Sequence, residues 1–257
     1  MLNIIKNELF KILASRKLYI FIIIVTLITG GASILFKSNK VPLGFEISAH
    51  NFPVMALVLI VTPFIPLFLI VLVAAMFTEE YTNGTLKLSL LRPISRGKLL
   101  MGKVAALLIT IIALQLFIMF LAYIIGFVVF PGGEVFVFEK STFTIAEGIF
   151  RTIGSYLFTV LPLFSFSMLI LLLVINFNSS GGAVGAGMGL FVLLDMISGN
   201  FQQIQSYVIN TYFRYFQFFF VEVEIEKVLI SFAIIMLYAL LPYMISRHIF
   251  KKKDILN

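Results

Sequence analysis

The chain has no cysteine and no tryptophan, and only 12% of its 257 residues are charged. Without cysteine there can be no disulfide, no iron–sulfur cluster and no thiolate site. The two histidines, His50 and His248, lie far apart in the sequence, so no metal centre is expected. There is no His-Glu-x-x-His motif, no pair of span aspartates and no Ser/His pair. An intramembrane hydrolase is therefore not expected, and the chain does not read as an enzyme on its own. Soluble domains carry roughly a quarter charged residues, so the shortage of charge excludes a soluble globular fold. Disorder is excluded by the opposite excess, 61% hydrophobic and 15% aromatic side chains.

What is present is length and apolar runs. A mean hydropathy of +1.10 over this length suits about six spans of ~20 residues. Apolar runs bounded by charge place them at about 18–36, 52–77, 104–130, 149–175, 181–198 and 228–246. Pro63, Pro66, Pro162 and Pro242 are kink sites within them. The expectation is an all-α membrane protein forming one transmembrane domain over residues 1–257.

The net charge of +7 does not call for nucleic acid, because the basic residues are sorted by loop. The N-terminus, the loop after span two and the C-terminus hold 13 of the 19 Lys and Arg residues. The other side holds eight of the twelve acids. The positive-inside rule then puts both termini in the cytoplasm, as an even number of spans also requires. Richness in Phe, Ile, Lys and Asn points to a bacterial cell membrane.

Four stretches stand out. Residues 2–16 read as an amphipathic interfacial helix, with Leu2, Ile5, Leu9, Phe10, Ile12 and Leu13 on one face. Asn7, Glu8, Lys11 and Ser15 lie on the other. The loop Thr78–Lys103 opens on Glu79 and Glu80 and turns at Asn83-Gly84. It then stops a short amphipathic segment at Arg92-Pro93. Span five starts with a smooth face, Gly181, Gly185 and Gly189, fit for helix packing within the chain or between two chains. The last outer loop holds nine aromatics between Phe201 and Phe220, which read either as short segments re-entering the outer leaflet or as an interfacial belt.

Two features invite overreading. Gly97-Lys98-Leu99-Leu100-Met101-Gly102-Lys103 has the spacing of a phosphate loop. Val104 stands where a magnesium-binding Ser or Thr belongs, and no strand precedes it, so no ATP site is expected. Asp195 is the one acid inside a predicted span. Intramembrane acids are functional candidates, but its place beside Ser198-Gly199-Asn200 also fits a residue at the outer boundary.

Glu80-Tyr81-Thr82-Asn83-Gly84-Thr85, then Arg92-Pro93-Ile94-Ser95-Arg96, then Gly102-Lys103 resembles the acidic-x-x-x-Gly-Thr, Pro-x-Ser-Arg and Gly-Lys pattern of ABC-2-type ATP-binding-cassette permeases. The order of spans resembles that family over the whole chain, and the motif covers about 25 residues. The resemblance implies a separate cytoplasmic ATPase subunit that binds Mg-ATP, with no cofactor in this chain. It implies a second permease chain, in a homo- or heterodimer, and a cytoplasmic coupling helix. Glu79, Glu80, Gly84, Thr85, Arg92, Pro93 and Arg96 would contact the ATPase. Membrane-active peptides are frequent cargo in small bacterial members. Phe64, Phe68, Phe216 and Asp195 are then the pathway candidates, a hydrophobic or amphipathic cargo being favoured because the spans carry almost no charge. Ion, drug or lipid efflux, a secondary carrier and a membrane scaffold are the alternatives.

The topology can be checked in this cysteine-free chain. Single cysteines at Ser95 and Ser141 are expected to label from opposite sides of the membrane. Labelling of both from outside would overturn the six-span arrangement.

Overall fold

The computed structural model describes residues 1–38, 46–79, 95–221 and 224–252. Helix α1 (Leu2–Leu13) is joined by a two-residue turn to α2 (Arg16–Lys37), whose first turn is capped by Ser15 Oγ accepting from Lys17 N. Helices α3 (Phe52–Val61) and α4 (Phe64–Ala74) follow, then a π-helical turn, Ala75–Glu79. Next come α5 (Arg96–Val129), strands β1 (Phe136–Phe138) and β2 (Ser141–Phe143), α6 (Ile145–Val174) and α7 (Ser180–Asn200). A 3-10 turn (Gln205–Tyr207), a long 3-10 helix (Ile209–Phe219) and α8 (Ile225–Lys252) complete the chain.

Among the described residues five helices, α2, α5, α6, α7 and α8, are long and apolar enough to cross a membrane. The pair α3–α4, bent by 51° at Thr62-Pro63, passes the same test when taken together, which gives six if the pair counts as one span. The expected kink at the prolines is thus a break. Thr62 is extended, as a residue before proline prefers, and the first backbone bond of α4 is Leu67 N to Pro63 O, 3.1 Å. By contrast Pro162 and Pro242 are absorbed inside continuous helices.

The fourth and sixth spans begin earlier, and the third much earlier, than the hydropathy runs imply. Helix α5 starts at Arg96, eight residues before the expected 104. In the charged stretch Arg96–Lys103 the Ser95 carbonyl accepts the first backbone bonds, from Lys98 N and Leu99 N, and Arg96 and Lys103 have partners on α8 and α1. Helix α1 ends at Leu13, short of the expected 16, because Ala14 and Ser15 make the turn into α2. The coupling helix expected around residues 80–94 lies outside the described residues.

The core is built around α4 and α6, which pack on each other, with α6 also against α8 and the long 3-10 helix. Ile170 and Leu171 on α6 and Leu69 and Ile70 on α4 are fully enclosed. Hydroxyls on α6 are buried without penalty by bonding back one turn. Thr152, Ser155, Thr159, Ser165 and Ser167 each donate to the carbonyl four residues earlier, at 2.6–2.9 Å.

At the end away from the termini, β1 and β2 form a hairpin in the register Phe136↔Phe143 and Phe138↔Ser141. Glu139 takes a positive φ of 52° in its turn. The hairpin is anchored by Asn51, whose Nδ2 donates to Val137 O at 3.0 Å and whose Oδ1 accepts from Ser48 N at 2.8 Å. Helix α6 starts under it with a capping box, Thr144 and Glu147. Phe220 closes this end, its ring 4.5 Å from Phe138 and 5.9 Å from Phe136.

Gly148 is required by that packing. A Cβ there would stand 2.0 Å from Cγ of Phe136. Gly148→Ala is expected to destabilise by about 1–3 kcal/mol through overpacking. In a double-mutant cycle with Phe136→Ala the combined loss should fall below the sum of the single losses. Additive losses in thermal unfolding would refute the contact.

Candidate functional site

The hydropathy profile treats the end of span two and the start of span three as a solvated loop. In the structure their described parts meet in a buried polar knot. Lys103, on α5, is 0% exposed and Glu8, on α1, is 3% exposed. Lys103 Nζ donates to Glu8 Oε2 at 2.7 Å and to the carbonyl of Met76 at 3.0 Å. The other carboxylate oxygen, Oε1, accepts from Lys11 Nζ at 2.8 Å. The Phe77 ring lies 5.5 Å from the Lys103 ammonium and packs edge-on to Phe250 of α8 at 6.4 Å. Charge, hydrogen bonds and an aromatic face together make a buried ammonium tolerable. Met76 and Phe77 sit in the π-helical turn, so one lysine ties α1, α5 and the end of the second span together.

This knot corrects two expectations. The wheel places Glu8 on the solvated face of α1, whereas the face packed on the protein is Ile4, Glu8 and Ile12. Leu2, Phe10 and Leu13 are the exposed residues. The reason is Lys103, which gives Glu8 a stronger partner than water. The spans likewise carry more buried charge than the sequence suggests, since the buried Lys103 lies within α5. The phosphate-loop spacing also has a packing explanation. Gly97–Lys103 lies within continuous α5. A Cβ at Gly102 would stand 2.5 Å from Cγ2 of Ile4, so glycine lets α1 approach and Lys103 then meets Glu8.

Of the residues singled out for contact with an ATPase, Glu80, Gly84, Thr85, Arg92 and Pro93 lie outside the described residues. Glu79 closes the π-helical turn by its backbone. Arg96 opens α5, and its Nη1 donates to Lys251 O of α8 at 3.3 Å. Arg247 and Lys251 crowd Gly97, so the start of α5 and the end of α8 form one basic corner.

The pathway candidates are dispersed. Phe68 is 6% exposed and stacks on Phe21 of α2, with centroids 4.0 Å apart at 17°. Phe64, at the start of α4, is half-buried against the core. Phe216 is 1% exposed, and its carbonyl accepts from Ser155 Oγ at 3.4 Å. Both Phe68 and Phe216 are core residues of the single chain. Asp195 is exposed on α7.

The smooth face of α7 does not pack within the chain. Ideal Cβ atoms at Gly181, Gly185 and Gly189 would meet nothing within 4 Å. The inward stripe is Ala183, Gly187 and Phe191, with the Gly187 position 2.6 Å from Ile70 Cγ2.

The aromatic loop has a period of three. In the long 3-10 helix, side chains three apart eclipse. Tyr212, Tyr215 and Phe218 form one column, with centroids 4.5 Å and 4.3 Å apart. Phe213, Phe216 and Phe219 form the other, against α6. Phe213 meets Phe166 at 5.5 Å, and Arg151 donates to the Phe219 carbonyl. Asn210 Nδ2 donates to Phe191 O of α7 at 3.2 Å, and Tyr238 of α8 donates to Tyr207 O at 2.9 Å. Along α6 the segment spans Arg151 to Phe166, ~22 Å of helix.

These features define a helical membrane-embedded protein with a charge-pinned base and an aromatic cap. Residues 18–256 match the family model described as "Protein of unknown function (DUF2705)", and the chain belongs to that family. No curated protein matches the chain.

Breaking the knot should matter more than removing it. Glu8→Gln leaves a buried ammonium without its counter-charge and is expected to cost about 3–5 kcal/mol. Glu8→Leu with Lys103→Met should recover most of that. A double variant as unstable as the sum of its parts, by thermal unfolding in detergent, would refute the pairing.

Proposed function

We propose that the chain is the membrane-spanning permease subunit of an ATP-binding-cassette exporter. It works with a separate cytoplasmic ATPase and a second permease chain to move hydrophobic or amphipathic cargo out of a bacterial cell. A membrane-active peptide is the leading cargo. The observation that carries the reading is the pinned base of residues 80–94. The segment bearing Glu80, Gly84-Thr85 and Arg92-Pro93 leaves the π-helical turn and returns to α5. Lys103 bonds the end of the second span at Met76 O. A push that reaches the Lys103–Met76 contact is delivered to α1, α5 and the end of the second span together.

In this reading both termini and residues 80–94 face the cytoplasm, and six spans cross the bilayer, α3–α4 counting as one. Helix α1 lies in the headgroup plane, Ile4, Glu8 and Ile12 toward the protein and Leu2, Leu13 and Phe10 toward lipid. The long 3-10 helix re-enters the outer leaflet, where its backbone is sheltered by α6, α7 and α8 as non-helical chain at membrane depth must be. The outward glycine face of α7 is available to the second chain. ATP is bound and hydrolysed by the partner alone.

A secondary carrier is the second reading, and the buried Glu8–Lys103 pair is what favours it, since buried charge can couple to ions. Against it, both charges are matched and lie at the terminal end of the spans.

The test is assembly. Glu80→Arg and Arg92→Glu are each expected to weaken copurification of an ATPase, by up to a few kcal/mol if the contact is desolvated. Undiminished copurification and transport in the double variant would remove this segment as the docking site. Export that continues without any ATPase and collapses with the ion gradient would put the carrier reading in its place.

A further inference from the structure

The break in span two lies opposite a second anomaly. Gln115, inside α5, is 1% exposed, and neither Oε1 nor Nε2 of its amide has a hydrogen-bond partner. Thr62 Oγ1, at the break itself, is also buried without a partner. The hydroxyls of α6 satisfy themselves on their own helix. A glutamine amide reaches too far to do so, and leaving it dry is costly.

Packing puts the two residues at one level. Helix α3 runs antiparallel to α5, with the Gly126 position against Ala49 O and Phe52. Thr62 lies ten residues beyond Phe52, ~15 Å of helix, and the same distance along α5 from Gly126 ends beside Gln115. The contact of Lys103 with Met76 O gives the same answer from the other end. Fourteen residues separate Met76 from Thr62, and as many steps from Lys103 end at Phe117. Gln115 also shares its face of α5 with Ile118, Ala122 and Gly126, all buried, and Gly126 is the contact with the α3 region. Beyond the break, α4 bends by 51° and packs on α6 and α7 while α3 stays on α5. Thr62 is extended and ends α3, so the last carbonyls of that helix lie at this level.

We propose that Gln115, Thr62 and the end of α3 line a hydrated polar pocket halfway through the bundle, and that it takes a neutral amide group of a hydrophobic peptide. The lining is an amide, a hydroxyl and carbonyl oxygens. An ionic group would find no counter-charge in it, whereas a peptide unit pairs with a glutamine amide through one donor and one acceptor. Ile60, Val61, Ile65 and Ile118 supply apolar walls. The peptide assignment rests on the exporter reading; the pocket does not.

The test uses Gln115→Cys and Thr62→Cys in the cysteine-free chain, purified into nanodiscs so that both faces meet a charged methanethiosulfonate reagent. Leu116→Cys and Phe120→Cys, outward-facing at 42% and 66% exposure, are the lipid-side controls. The reacting species is the thiolate, which forms only where water reaches, so pocket cysteines should react at least about tenfold faster than the controls. N-acetyl-leucyl-leucinamide should slow the reaction at Thr62→Cys, where the Gln115 amide is intact, and N-acetyl-leucine, which carries a carboxylate, should not. Equal rates at positions 115 and 116 would overturn the pocket. Fast labelling that the amide does not slow, or that the carboxylate slows equally, would overturn the amide assignment. Neither readout needs an ATPase, so failure of the exporter reading shows separately, in copurification.

Discussion

The bond between Lys103 and Glu8 is the constraint on which the terminal half of the molecule depends. An ammonium and a carboxylate that are both out of solvent hold together only with good geometry and further hydrogen bonds, and here Met76 O, Lys11 and Phe77 supply them. The consequence is geometric. Helix α1 has few apolar residues directed at the protein, chiefly Ile4 and Ile12, and two such contacts would not fix its position on α5. Glu8 lies between them, one turn from each, and converts a loose apolar contact into a specific one. Gly102 is the second half of the device, since a side chain there would lift α1 away from the lysine. The π-helical turn is tied into the same device, because its Met76 carbonyl accepts from the lysine.

The large divisions of the fold were legible because they are fixed by transfer free energy, which composition records. Each apolar run between charges became helical, the second as two helices broken at Thr62-Pro63, and the family match over residues 18–256 covers the same stretch. What could not be read were choices made by partners. The sequence wheel assigns Glu8 to water since it cannot see Lys103, 95 residues away. The glycine stripe at 181, 185 and 189 is the more regular one, yet the chain uses Ala183, Gly187 and Phe191, because Ile70 is the residue that needs room. Phe68 and Phe216 looked like lining residues on account of their neighbours, a proline kink and an aromatic loop. In the chain Phe68 stacks on Phe21 and Phe216 packs against α6. The segment expected to meet an ATPase falls mostly outside the described residues, so that part of the candidate site stands on its sequence alone.

The other end of the molecule solves the opposite problem, holding non-helical backbone against apolar helices. A 3-10 helix of eleven residues is long for its kind, and its hydrogen bonds are poorer than those of an α-helix. Its stability comes from outside. Two aromatic columns three residues apart give it a face for α6, and Arg151, Ser155, Asn210 and Tyr238 tie backbone carbonyls across elements. The hairpin then caps this end with Phe136, Phe138 and Phe143 around Phe220. The alternation of Phe136-Val137-Phe138 was visible in the sequence, but three residues are too few to distinguish a strand from a loop until the partner strand is known.

Between these two ends the bundle contains much buried polarity and little buried charge, and the two are handled by different means. Hydroxyls on α5 and α6 return their protons to the preceding turn, so Thr110, Thr152 and Thr159 are no harder to bury than alanine-sized groups. The buried lysine and glutamate among the described residues, Lys103 and Glu8, lie at the terminal end, where they neutralise one another. Glutamine fits neither solution. It cannot close on its own helix, and it has no charge for a partner to match. Its natural complement is another group with a donor and an acceptor side by side, which is why the unpaired amide of Gln115, at the level where span two is broken, reads as a place for something that arrives from outside the chain.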